Sequence, residues 1–285
     1  MSTSREEVLD RERRWALPAA LAALAAIGFV VASLVVVSGT IGGSNGESDY
    51  LRTVDAHQGG RMTSAILQAI GVGLLAIPLY YLFRAAEARS PNMRGQLVGV
   101  VVAGPIFLAI ASVLTGISSI HAADDFVTNS VPHLAGELGS DHANDVATEA
   151  LDDASLRGLA AGFGIGGQLG LAVGMVYTVL HAMRTGLVTR FWGSLGMALG
   201  VVSFFPQLLP FTLLWFVYLG LVISGRLPRG RPPAWAAGEA IPWPSPGEQA
   251  SAALEASEPA EAEEPDTEPA DTEPAEPPRK RKQRE

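Results

Sequence analysis

GLAAGFGIGGQLGLAVGMVYTVL, residues 158–180, runs for 23 positions without Asp, Glu, Lys or Arg. A helix needs about 20 apolar residues to cross the roughly 30 Å hydrocarbon core of a bilayer, so this run is long enough to span one. Four more charge-free runs accompany it, at residues 15–38, 62–83, 97–120 and 191–224. Hydrocarbon offers no water to backbone N–H and C=O groups, and a chain of continuous apolar runs satisfies them within helices. The sequence therefore reads as all-α, a polytopic transmembrane helix bundle over residues 15–225 with a disordered C-terminal tail.

Within the opening run Gly158, Gly162, Gly166, Gly170 and Gly174 recur every four residues. Helices in lipid gain little from apolar contact as such, and small residues at this spacing let two backbones approach closely. The glycine zipper has three readings: packing inside one monomer, which is favoured, a homo-oligomer interface, or the lining of a solute path. Gly196 and Gly200 offer a shorter version later in the chain.

A formal charge of -9 and a pI near 5.1 would suit a soluble acidic protein, yet the acids crowd into residues 121–157 and the tail. The absence of cysteine excludes disulfides, thiolate metal sites, a thiol nucleophile and a lipid-modified thiol. The first apolar run follows Arg11, Arg13 and Arg14, as a secretory signal would, but its 24 residues exceed the roughly 7–15 of a signal core. It reads as a retained span.

Basic residues near span ends favour the cytoplasm. Arg5, Arg11, Arg13 and Arg14 put the arm 1–14 inside, as do Arg84, Arg89 and Arg94 for the second connection and Arg184 and Arg190 for the fourth. The loop 121–157 has one Arg against eight acids and belongs outside. Trp15, Tyr80, Tyr81, Tyr177 and Trp192 fall at the inner ends, as an interfacial belt would.

The last run is 34 residues, about 51 Å as one helix, and Pro206 and Pro210 interrupt it. Two short spans, about 191–206 and 209–225, fit better than one, and a re-entrant pair is the rival. With the other spans at about 15–38, 62–83, 97–120 and 158–181, this gives a multi-pass protein of the cell (plasma) membrane with both termini cytoplasmic.

The tail, 226–285, begins with a Pro-rich segment in which Trp235 and Trp243 suit the headgroup level. Further on it is Ala, Glu and Pro, with DTEPA repeated at 266–270 and 271–275, a composition that cannot offset its chain entropy by burial. Arg279, Lys280, Arg281 and Lys282 near its end could contact anionic lipid. Solubilising charges paired with the neighbouring acids are the plainer reading, and no specific nucleic-acid recognition is indicated.

Ionisable groups inside spans mark proton relays and ion coupling, and here only His181 qualifies, at a span end. Gln68, Gln168 and Gln207 on three spans either converge on a polar pocket or make ligand-free interhelical hydrogen bonds, the commoner use. His142 and Asp145 share a helix face in the acidic loop, but their spacing matches no ligand set, and a solvated loop explains them better. Gly42-Gly43-Ser44-Asn45-Gly46 matches GxSxG only formally, because it follows a membrane helix rather than a strand. No residue stands out as catalytic, cofactor-binding or metal-ligating, and no cofactor is implied.

Tyr81-Leu82-Phe83-Arg84-Ala85-Ala86-Glu87-Ala88-Arg89, Thr189-Arg190-Phe191-Trp192-Gly193 and Gly230-Arg231-Pro232-Pro233-Ala234-Trp235 are the most distinctive segments outside the spans. Through them the chain resembles uncharacterised multi-span integral membrane proteins of actinobacteria, high-GC Gram-positive bacteria, over about the first 245 residues. The resemblance implies location and topology and no activity. The favoured expectation is a non-enzymatic membrane scaffold or assembly module whose partners are the lipid bilayer and a second copy or another membrane protein. A carrier or channel for a neutral or weakly polar solute is the alternative.

Overall fold

The computed structural model describes residues 5–134, 138–205, 209–227, 230–244, 247–248 and 251. It divides the chain into two units, Met1–Trp243 and Pro244–Glu285. The repeats and the basic end of the tail lie outside the described residues, as do Pro206 and Gln207.

The first unit is all-helical. Its described helices are α1 (Arg5–Thr40), α2 (Glu47–Ala56), α3 (Gln58–Leu74), α4 (Ala76–Glu87), α5 (Val98–Asp125), α6 (Asp141–Asp153), α7 (Arg157–Arg184), α8 (Arg190–Val202), α9 (Leu209–Ser224) and α10 (Pro233–Ala237). Among the described residues four helical stretches are long and apolar enough to cross a membrane: Arg5–Thr40, Gln58–Glu87, Gly95–His133 and Arg157–Arg184. The N-terminal arm is not separate from the first of them, because α1 is already helical at Arg5 and buries Val8 and Glu12.

Gln58–Glu87 carries a break at Leu75. Pro78 has no N–H for the carbonyl of Leu74, and Leu75 instead closes a tighter bond to Val72 O at 3.1 Å. The last apolar run becomes α8, 13 residues or about 20 Å, and α9, 16 residues or about 24 Å. Both are shorter than the hydrocarbon thickness. They pack antiparallel, with Trp192 stacked on Tyr218 at 4.0 Å and the Trp215 indole donating to Trp192 O at 2.9 Å.

The helices form a ring, and a glycine stands in close contact at each of its seams. A Cβ placed at Gly71 of α3 would lie 2.8 Å from Ala26 O of α1, and one at Gly116 of α5 would lie 2.5 Å from the Ala65 methyl of α3. Between α5 and α7 the backbones themselves touch. A Cβ at Gly170 would sit 2.8 Å from Gly104 Cα, and one at Gly174 would sit 2.9 Å from Val101 Cα. Gly200 of α8 leans on Met175 and Val176 of α7, Gly196 lies beneath the Trp215 ring, and Gly220 of α9 faces Ala23 of α1. The contacts run antiparallel all the way round.

The centre of this ring is filled. Leu75, Leu79, Leu82, Phe83, Met175, Trp215, Phe216 and Leu219 are at or below 1% exposure. Where α1 meets α3 the hydroxyls of Ser33 and Ser64 pair within the buried seam at 3.1 Å.

At one end of the bundle α2 and part of the acidic loop fold together into a cap whose acids remain solvated. Leu51 and Val54 of α2, Ala143 and Ala147 of α6, and Phe126 beyond α5 share a small core with Ile41 and Leu134. Ser140 caps α6 by accepting from Ala143 N at 3.2 Å, and Asn144 Oδ1 accepts from the Ser48 amide and hydroxyl at 3.1 and 2.8 Å. The acids Asp141, Asp145, Glu149 and Asp152 stay on the outer face.

Gly170→Leu should push α5 and α7 apart and destabilise the folded bundle by on the order of 3 kcal/mol. Gly158→Leu should leave the melting temperature of the bundle unchanged, since a Cβ there meets no atom within 4 Å. Thermal melts of the two variants in one detergent will read the difference.

Candidate functional site

At the end opposite the cap the chain is strapped to itself. Gly225, at φ 73°, ends α9 with paired bonds, Arg226 N to Leu221 O and Gly225 N to Val222 O, both 3.1 Å. Gly186, at φ 78°, ends α7 the same way, with Leu187 N on Ala182 O at 2.8 Å and Gly186 N on Met183 O at 3.2 Å. A Cβ on Gly186 would also collide with Ile241 O, so the position demands glycine twice over.

Residues 231–243 then run back across this end and satisfy the carbonyls that follow α7. Ile241 N donates to Thr185 O at 3.1 Å, the Trp235 indole to Leu187 O at 2.9 Å, and the Trp243 indole to Val188 O at 2.9 Å. Arg190 Nη2 donates to Trp243 O at 2.9 Å.

Arg89 is the centre of the strap. Its side chain is fully buried, and Glu12, 7% exposed at the side chain, accepts from both terminal nitrogens. Nε and Nη2 also reach Ala234 O at 3.2 Å, and Nη1 reaches Ala85 O at 2.9 Å. The five guanidinium N–H groups thus have acceptors on α1, α4 and α10, the condition under which a buried ion pair repays its loss of water. Tyr81 donates to Glu12 O at 3.1 Å and stacks on Trp235 with ring centres 5.8 Å apart, and the Arg231 guanidinium lies 4.2 Å from the centre of the same indole. Nearby, Ser90 Oγ and His181 Nδ1 are 3.1 Å apart, which ties the start of the α4–α5 connection to α7.

The residues singled out from the sequence are distributed differently. Gly170 and Gly174 press on α5, Gly166 is in ordinary contact with Phe107 at 3.6 Å, and Gly158 and Gly162 face open space. Gly167 and Gly104, which no four-residue spacing marks, complete the α5–α7 contact. Gln68 and Gln168 sit on α3 and α7, which flank α5 on separate sides, and no hydrogen bond joins them. Gln207 lies outside the described residues. His142 and Asp145 are exposed on α6, and among the described residues no group of three His, Asp or Glu could hold a metal ion.

Glu12 and Arg89 escape a sequence reading because they meet across 77 residues from different helices, and Arg231 because the indole it covers, Trp235, is set in place by Tyr81 and the Leu187 carbonyl far along the chain. One signal was present. The three distinctive motifs supply Tyr81 and Arg89, Arg190, and Arg231 and Trp235, and all of them meet here. What the arrangement does chemically is hold a segment in place.

Arg89→Ala should cost about 3–5 kcal/mol by leaving Glu12 buried and unpaired. Arg89→Lys should recover little, having neither the fork nor the donors. Limited proteolysis after residue 230 will follow release of the strap, and a protected Arg89→Ala strap would refute its role. No protein-family model, curated protein or solved structure matches this chain.

Proposed function

We propose that the chain is a non-enzymatic scaffold of the cell membrane that displays an acidic helical cap on the outer side and a tail from a fixed point on the cytoplasmic side. The observation that carries this reading is the pairing of a filled bundle interior with a polar network that anchors residues 231–243 to it. Phe83, Trp215 and Phe216 occupy the place where a solute path would run, and each is fully buried.

Charge supports the orientation. Arg5, Arg11, Arg13, Arg14, Arg84, Arg94, Arg184, Arg190 and Arg226 belong to the strapped end by sequence and contact, whereas the cap carries most of the acids of the first unit. Basic residues next to short apolar helices are retained in the cytoplasm. Assembly with a second copy or another membrane protein uses the part of the α7 glycine row that the monomer leaves open, Gly158 and Gly162, beside the exposed Leu159 and Ile165.

Reporters active on one face of the membrane test the orientation. An alkaline phosphatase inserted after Gly139 should be active and one fused after residue 285 inactive, and the reverse pattern would overturn it. Gly162→Leu should weaken self-association on crosslinking without lowering the melting temperature. Flux of any neutral solute into proteoliposomes above that of empty vesicles would overturn the scaffold reading itself.

A further inference from the structure

Beside the strap, α1 and α4 part to leave a groove of about 510 Å³, with Val102 of α5 at its inner wall. The groove is graded along its length. Arg11 and Arg84 stand at the strapped end, Trp15 and Tyr80 come next, and the buried Ala19 and Ala76, with Ile77 beside them, line the far end. The gradation follows from register, because α1 and α4 run in opposite directions and steps of four residues bring 11, 15 and 19 level with 84, 80 and 76. Eight residues of helix carry the groove about 12 Å from its charged mouth to its apolar floor. Alanine at 19 and 76 is what leaves the space.

We propose that this groove binds one anionic phospholipid from the surrounding leaflet, with its phosphate between Arg11 and Arg84 and the start of an acyl chain over Ala19 and Ala76. Charge complementarity commits the occupant. Arg11 has no carboxylate partner among the described residues, whereas Arg84 shares one nitrogen with Glu87 at 2.7 Å and is 41% exposed. The remaining carboxylate of the groove, Glu12, is turned into Arg89 and neutralised there. The mouth therefore keeps a net positive charge beside a lipid-facing opening. Trp15 and Tyr80, 56% and 46% exposed, set that mouth at the headgroup level, where amphipathic rings reside. Basic pockets between transmembrane helices hold anionic headgroups by this combination of charge and depth.

The proposal rests on the membrane placement of the bundle and not on its scaffold role. Its test is the relative affinity of the purified full chain, in mixed vesicles, for phosphatidylglycerol over phosphatidylcholine, read by native mass spectrometry after release into mild detergent. Wild type should retain phosphatidylglycerol selectively. Replacing both Arg11 and Arg84 by Gln should reduce that preference roughly tenfold or more, while Arg14→Gln, outside the groove, should leave it unchanged. Ala76→Leu, which fills the floor and keeps the charges, should reduce retention of both lipids. No preference in wild type, or a preference that survives the double variant or falls equally with Arg14→Gln, would overturn the site. Melting temperatures of the variants close to wild type separate loss of the lipid from loss of the fold.

Discussion

The backbone contact between α5 and α7 is the constraint from which the bundle follows. With Gly104 and Gly170 touching, the two main chains pack directly against each other, and dispersion between them does what apolar burial does in water. The pair then offers two broad flanks. One receives α3 and, beyond it, α1, and the other receives α8 and α9, so the ring closes where Gly220 meets Ala23. The interior this encloses is narrow enough for α4 and α9 to fill with Phe83, Trp215 and Phe216.

The strap is built on a different economy. Charge is costly inside a low-dielectric bundle end, and Glu12 and Arg89 are tolerated there because every guanidinium N–H meets an acceptor. The acceptors come from three elements that no short-range rule would bring together. The strap also takes up the Thr185, Leu187 and Val188 carbonyls that follow α7, which would otherwise face lipid or headgroups. Holding the strap and finishing α7 are one act.

Charge-free runs made the helices legible in the sequence, and Pro206 with Pro210 made the division between α8 and α9 legible, because both signals are local. The glycine row was legible as a row but not as a contact. Four residues turn an ideal helix through slightly more than a full turn, so the contact face drifts off the row, and at Gly167 the partner backbone comes from Leu108 and Gly104. The cap was hidden because its apolar positions, Leu51 with Val54 and Ala143 with Ala147, are few and lie among acids that decide the local average. The groove beside α4 was hidden for the opposite reason: Ala19 and Ala76 signal by what they lack.

The strap also decides how the molecule bears force. Any pull transmitted along the chain from Pro244 meets Trp243, Ile241 and Trp235 in turn, and their bonds to residues 185–188 must break before tension reaches α9. The membrane helices are in this way mechanically insulated from whatever tugs on the segment beyond them.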